Sequence, residues 1–463
     1  MFTAGKGHAL KSGSGMNATV EAQKTTMTEI RRIAVRDCLA DPVLEVMNFL
    51  NEIVLDYPDA ISFAPGRPPE DLFHVKESVD LLPGYIAKLA LERGIATEQA
   101  WEELKQYNRT NGTINHLISR QLAIDEGIYA APENIIVTVG AQEAMAILLA
   151  GLFEPGRDIL LASDPTYIGI TSLAKILGIR VIPVPATEHG LSPEAVQEAI
   201  LNASAFGKVK ALYDIPDFNN PLGTSLPRER RIELIEVCRN HSVFIIEDNP
   251  YGMFCYEGER LPALKALDAD GTVLYIGTFS KTLFPGIRLG YLIANQKVRS
   301  SAETLAAELS KVKSLITVNT PSLSQAVAAA ALMASGYSLE PVVAPKRQKL
   351  QRNRDVLLES LAGELAGMEQ RVTWNRPSGG FFITVTVPFV FEAAEMRQCA
   401  EQYNVILTPM SFFSQSSMRR RQIRLSFSCL EEGQISAGVA RMAQFIRDRS
   451  GSVDRSSILQ SMS

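Results

Sequence analysis

From Ile135 to Asn295, short β-branched apolar runs alternate with stretches whose apolar residues recur at helical spacing. That is the pattern of strand–helix–strand crossovers that build a mostly parallel sheet. Seven strands are predicted: Ile135–Val139, Asp158–Ala162, Arg180–Val184, Val209–Asp214, Ser242–Glu247, Thr272–Gly277 and Arg288–Ile293. Between them, Gln142–Phe153, Ile168–Leu177, Ser192–Leu201 and Pro227–Asn240 read as helices. The last opens with Pro227 and Glu229 in a first turn suited to the helix dipole. Upstream, Val43–Leu55 and Gly84–Tyr107 show amphipathic spacing. After Pro321 the helical stretches lengthen, followed by the apolar run Phe381–Val387, a helix near Ala393–Tyr403 and the short strand Ile423–Ser428. The expected class is α/β, with a large domain built on a seven-stranded, mostly parallel sheet and a smaller α+β domain. The predicted boundaries are a flexible tail over 1–30, an N-terminal arm and part of the small domain over 31–80, the large domain over 81–325, the C-terminal small domain over 326–449 and a Ser-rich tail over 450–463.

Composition narrows this picture in three ways. With 463 residues, 46% of them hydrophobic, the chain can bury a large core, so disorder throughout is excluded. A net charge of −5 gives no general electrostatic reason to bind nucleic acid or an anionic membrane. The five cysteines, Cys38, Cys238, Cys255, Cys399 and Cys429, are odd in number and lack C-x-x-C spacing, which argues against a disulfide framework or a thiolate zinc site and for a reducing cytoplasm. The uncharged stretch Ser314–Leu339 holds too many polar residues for a membrane span and reads as a buried loop and helix. The first thirty residues have no apolar core, so they are not read as a secretory signal, and Gly5-Lys6-Gly7 and Gly13-Ser14-Gly15 lack the strand that a phosphate loop needs.

Candidate chemistry sits at predicted strand ends. Lys281 leaves the strand ending at Gly277, and Arg288 follows it by seven positions. Parallel α/β sheets place ligands at the carboxyl ends of strands, where desolvation and a neighbouring cation lower a lysine pKa enough for imine chemistry. Phe244-Ile-Ile-Glu-Asp248 is an apolar strand that ends in two carboxylates, with Tyr251 just beyond. A third strand runs into Asn219-Asn220-Pro-Leu-Gly223, taken alone only a turn. An amide, an acid with a phenol, and a lysine with an arginine at three successive strand ends are far less expected by accident than any one of them.

With these motifs the chain resembles the fold-type I pyridoxal phosphate (PLP) enzymes, in particular the class I/II aminotransferases near the aminoadipate, kynurenine and aromatic branch, from about Val43 to Met442. The resemblance implies PLP as cofactor, with Lys281 forming the internal aldimine and moving the proton at the substrate Cα. It implies Asp248 on the pyridine nitrogen, Asn220 and Tyr251 on the phenolic oxygen and Tyr167 stacked over the ring. The phosphate would be met by Gly140, Ala141 and Gln142 at a helix N-terminus, with Thr278, Ser280 and Arg288. Tyr107 matches a tyrosine that reaches the neighbouring subunit's phosphate, which implies a homodimer with shared active sites. Arg424, in Ile423-Arg424-Leu-Ser-Phe, matches the residue that holds the substrate α-carboxylate, a task suited to a planar fork. Gly66 and Arg67 match the segment that closes over substrate, and Asn220 also borders it. Ala141 and Thr278 stand where serine is common, and Leu222 where threonine is usual. The stretch from Leu81 to Gln106 has no assignment beyond a lid.

The expected activity is amino transfer between an L-amino acid and a 2-oxo acid. Another PLP reaction on the same scaffold, an oxidase, a decarboxylase or a carbon–carbon bond-forming enzyme, is the alternative, because cofactor residues do not dictate which Cα bond breaks. A transcription regulator with an aminotransferase-like sensor would need a winged-helix module, and the enzyme-like region begins by Val43, which leaves no room for one.

Overall fold

The computed structural model describes residues 35–299 and 301–461. The predicted tail over 1–30, with its two glycine runs, lies outside the described residues. The chain divides into two compact units between Ala40 and Asp41. The first contributes the single 3-10 turn Asp37–Ala40, and everything below belongs to the second. Among its residues no helix is long and apolar enough to cross a membrane.

In chain order the strands are β1 (Ile61–Ser62), β2 (Ile135–Thr138), β3 (Asp158–Asp164), β4 (Arg180–Thr187), β5 (Gly190–Leu191), β6 (Lys208–Asp214), β7 (Phe244–Asp248), β8 (Val273–Thr278), β9 (Gly290–Ile293), β10 (Thr373–Trp374), β11 (Phe382–Thr386), β12 (Val405–Ile406), β13 (Thr408–Pro409) and β14 (Gln422–Ser426). The large sheet has eight strands in the order β2-β9-β8-β7-β6-β3-β4-β5. All seven predicted strands are in it. The eighth, β5, is a two-residue antiparallel return of β4, too short to leave a periodic signal. Two predicted starts move inward because Ser242 (φ 55) and Arg288 (φ 48) are left-handed. A left-handed residue turns the chain away from the ladder, so β7 begins at Phe244 and β9 at Gly290.

β3 in the interior of the sheet and β2 at its end are buried at every position, whereas β4, beside the short β5 at the other end, is partly exposed. Continuous apolar strands need cover on both faces, and the helices supply it. Gly140–Leu152 packs on β8 and β9 and against Ile168–Leu177 and Leu305–Ile316, while Pro193–Ala203 and Arg228–Asn240 pack together on β4 and β7. Each fully buried Val, Leu or Ile contributes about 1.5–3 kcal/mol. Pro193–Ala203 starts where Ser192 accepts a hydrogen bond from the Ala195 N–H at 3.2 Å, with Pro193 at its first position.

A second sheet, β10-β11-β14-β13, is antiparallel, and the long helices Glu340–Glu364 and Glu432–Ser461 pack against each other. β1 pairs parallel with β12, which ties the segment after residue 60 to C-terminal elements. The last helix runs through Arg449 to Ser461, where Ser-rich composition predicts fraying. Ser322–Ala334, across which the sequence places its 325/326 boundary, is one unbroken helix packed on Leu82–Arg93. The segment from Leu81 to Gln106, which the sequence leaves without assignment beyond a lid, forms the helices Leu82–Arg93 and Thr97–Glu102, with Leu82, Ile86, Ala90 and Ala100 buried. Its apolar stripe faces the protein's own core.

Candidate active site

Because β3, β6, β7 and β8 run in one direction, their carboxyl ends Asp164, Asp214, Asp248 and Thr278 lie along one edge of the sheet. β9 runs the other way, with Gly290 opposite both Thr138 and Thr278. Its beginning therefore lies at that same edge, and the eleven-residue connection 279–289 returns Arg288 close to where Lys281 left. A cavity of about 270 Å³ opens there, lined by Gly66, Arg67, Ala141, Gln142, Tyr167, Asn220, Asp248, Tyr251, Thr278, Ser280, Lys281, Arg288 and Arg424.

Lys281 donates from Nζ to the Gly66 carbonyl at 2.8 Å. Burial first, and then the Arg288 guanidinium, lower its pKa from 10.5 to about 8, although Asp248 pulls the other way. Asp248 is buried, and burial raises its carboxyl to about 6 against the opposing Tyr213 hydrogen bond and Lys281 charge. Tyr213 donates to Asp248 Oδ2 at 2.7 Å, whereas Oδ1 has no hydrogen-bond partner. A buried carboxylate oxygen without a donor is rare outside functional sites.

The helix Gly140–Leu152 opens on the cavity with N–H groups that have no intrahelical acceptor. Gly140 is left-handed (φ 71), and a Cβ there would lie 2.8 Å from Arg288 Nη2. Glycine thus lets the guanidinium approach the helix start, where N–H groups and charge together suit a phosphate. Ala141 lacks a hydroxyl but keeps its N–H, and Leu222 acts through its carbonyl, which accepts from Asn375 Nδ2 at 2.8 Å.

Tyr167 donates to Gln142 Oε1 at 3.4 Å, and its ring lies where a Cβ on Gly169 would be. Burial raises its phenol to about 12. Tyr251 packs edge-on against Phe381 and Phe382, with centroids 5.0 and 5.7 Å away, and burial pushes its phenol up against the influence of Arg424. On β14, Arg424 donates from Nη1 to Asn220 Oδ1 at 3.0 Å and from Nη2 to the Ala64 carbonyl. The rings of Phe382 and Phe413 flank the guanidinium at 4.7 and 4.6 Å, and desolvation lowers its pKa to about 10.

Of the residues singled out from sequence, the structure gathers all but two on the cavity's lining. Gly140 stands directly behind it, against Arg288. Tyr107 lies apart, 81% exposed in a groove with Arg93, Asn108 and His116. Arg67 pairs with Glu70 at 3.1 Å, with both side chains largely exposed. Sequence reasoning missed Tyr213, Met47, Leu50, Met145 and Phe413. A polar phenol inside the buried run Leu212-Tyr213 was the available signal for the first, and nothing local marks the rest. A cationic helix start, a carboxylate with one open oxygen and a low-pKa amine around one cavity fit PLP.

Comparison with known proteins agrees. The family model described as aminotransferase class I and II matches residues 95–442. The chain is 42% identical over 423 residues to (S)-3,5-dihydroxyphenylglycine transaminase of Amycolatopsis orientalis, covering 91% of this chain and 96% of that one. It superposes on the Pyrococcus horikoshii kynurenine aminotransferase with a TM-score of 0.75 and 28% identity, over 91% of this chain and 97% of the other. The α-aminoadipate aminotransferase of Thermus thermophilus, solved with N-(5'-phosphopyridoxyl)-L-leucine, gives 0.72 and 26% over 90% and 98%.

Proposed function

Because this chain belongs to the class I and II aminotransferases and is a PLP-dependent transferase of amino groups, we propose that it takes an aromatic L-amino acid whose free α-carboxylate is held by Arg424. The observation that carries the reading is the Arg424 guanidinium, buried at the cavity, clamped between two rings and bonded to Asn220. Met47, Leu50, Met145, Ile168 and Phe413 give the rest of the lining an apolar side. Such a surface suits a ring, and the relative at 42% identity is named for a dihydroxyphenylglycine.

In this reading Lys281 would hold the cofactor and would move the proton at the substrate Cα. Asp248 is the charged partner of the pyridine nitrogen, and Asn220 and Tyr251 donate to the phenolic oxygen. The N–H groups of Gly140, Ala141 and Gln142, the hydroxyls of Thr278 and Ser280, and Arg288 would hold the phosphate, and the Tyr167 ring would pack against the cofactor. When bound, PLP supplies a conjugated cationic ring that accepts the electrons of the broken Cα bond. Arg424 orients that bond by fixing the carboxylate, and Arg67 stands at the mouth.

The test is a spectral half-reaction screen of the holoenzyme with single amino acids and their decarboxylated amines. Aromatic L-amino acids are expected to convert the cofactor fastest, and the matched amines hardly at all. Arg424→Lys keeps the charge but loses the fork, so kcat/KM for amino acids should fall roughly 10- to 100-fold, as for a bidentate charged contact, with PLP binding little changed. Equal loss on amines, or an efficient amine reaction, removes Arg424 from the site; faster aliphatic substrates overturn the aromatic assignment.

The working unit is read as a homodimer in which Tyr107 reaches the partner's phosphate. Its exposed ring, away from this chain's own cavity, supports that reading. Sedimentation should show a dimer, and mixing inactive Lys281→Ala with Tyr107→Ala subunits should restore part of the activity. A fully active monomer refutes it. The five cysteines, all free thiols, favour the cytoplasm.

A further inference from the structure

The Asp248 carboxylate is held from behind. Tyr213, next to last in β6, is fully buried and its hydroxyl donates to Asp248 Oδ2 at 2.7 Å. β6 and β7 are parallel neighbours with Tyr213 opposite Ile246, so Tyr213 shares a sheet face with Asp248 two residues further on. The second oxygen, Oδ1, has no partner, and Asp248 lines the cavity. Other titratable groups facing this carboxylate are Lys281, Tyr167 and Tyr251, with Asp214 beside Tyr213. Only Lys281 among them is cationic.

We propose that Tyr213 is a positioning residue for Asp248: its O–H bond fixes the carboxylate's orientation and favours its ionised form, keeping Oδ1 as the charged acceptor for the protonated pyridine nitrogen of PLP. The inference rests on the reading of Asp248 given above. Burial and the Asp248 charge hold the Tyr213 phenol well above its ordinary range, so it remains a donor across the working pH. Donation to a carboxylate stabilises the charged form, whereas burial disfavours it. Taking away the hydroxyl while keeping the ring leaves burial less opposed and lets the carboxylate turn. The cofactor nitrogen then loses part of its counter-charge without any change in the substrate-binding groups.

Tyr213→Phe isolates that hydroxyl. In holoenzyme loaded with PLP labelled with ¹⁵N in the ring, the wild-type nitrogen should stay protonated through neutral pH, and in the variant it should lose its proton at lower pH. kcat should fall roughly 10- to 100-fold, the scale of a hydrogen bond to a charged group. KM should change by less than about threefold, because carboxylate binding is untouched. The acidic limb of the kcat profile should move to higher pH, since Asp248 becomes easier to protonate. If Tyr213 acts through Asp248, the double variant Tyr213→Phe/Asp248→Asn should be no slower than Asp248→Asn alone. A protonated wild-type nitrogen with an unchanged variant spectrum and pH profile overturns this inference alone, and additive losses in the double variant also overturn it. An unprotonated wild-type nitrogen overturns the Asp248 reading and this inference with it.

Discussion

Lys281→Ala should abolish turnover, with a loss of roughly 10⁴-fold or more, if, as proposed, one amine both anchors the cofactor and transfers the proton. The pKa of about 8 at Lys281 gives the effect its physical basis. At pH 7 about a tenth of such an amine is free base, against roughly three in ten thousand at the ordinary lysine value. Cofactor uptake by the apoenzyme should therefore accelerate as pH rises through about 8, where the ammonium gives up its proton. Between about 8 and 10.5 the native protein binds fewer protons at this site than the unfolded chain, so the site's contribution to apoenzyme stability rises with pH over that window. Borohydride reduction of the wild type followed by peptide mapping should find the pyridoxyl group on Lys281. Its appearance on another lysine would refute the assignment.

Asp248→Asn is expected to bind PLP but to react roughly 10²- to 10³-fold more slowly, the scale seen when a preorganised charge partner is lost. The amide matches the carboxylate in shape and can still accept from Tyr213, so the cavity should persist. What disappears is the negative charge, and with it the preference for a protonated ring nitrogen. Cofactor content by absorbance and Cα–H exchange in heavy water separate the two consequences. Near-normal exchange would sink the role. Because Tyr213→Phe weakens the same charge without deleting it, its loss should be the smaller of the two.

Much of the site was legible because its signals are local. A run such as Ile159–Ala162, buried on both faces, announces a central strand through composition alone. The residues at and just beyond such a strand's carboxyl end are then placed at the ligand edge of a parallel sheet, which is how Asp248, Lys281 and Asn220 could be singled out. Ala141 and Leu222 depart from the family pattern in their side chains, while the Ala141 N–H lies in the first turn of a helix and the Leu222 carbonyl accepts from Asn375. The packing of 81–106 was not legible for a related reason: amphipathic spacing reveals that a face is buried, but not against what.

The sequence by itself thus determined element types, the parallel core and the candidate lysine that the structure places on the cavity, since each depends on periodicity and turn chemistry within a few residues. Tertiary structure alone decided the strand order and the antiparallel course of β9, which returns Arg288 to the edge Lys281 leaves. It also decided what holds Arg424, whose partners Asn220 and Ala64 are 204 and 360 positions away, and that Tyr213 meets Asp248 across two strands. Those contacts are chosen by how whole elements pack. A hydrophobic pattern records how deeply a residue is buried, and many different neighbours satisfy the same burial.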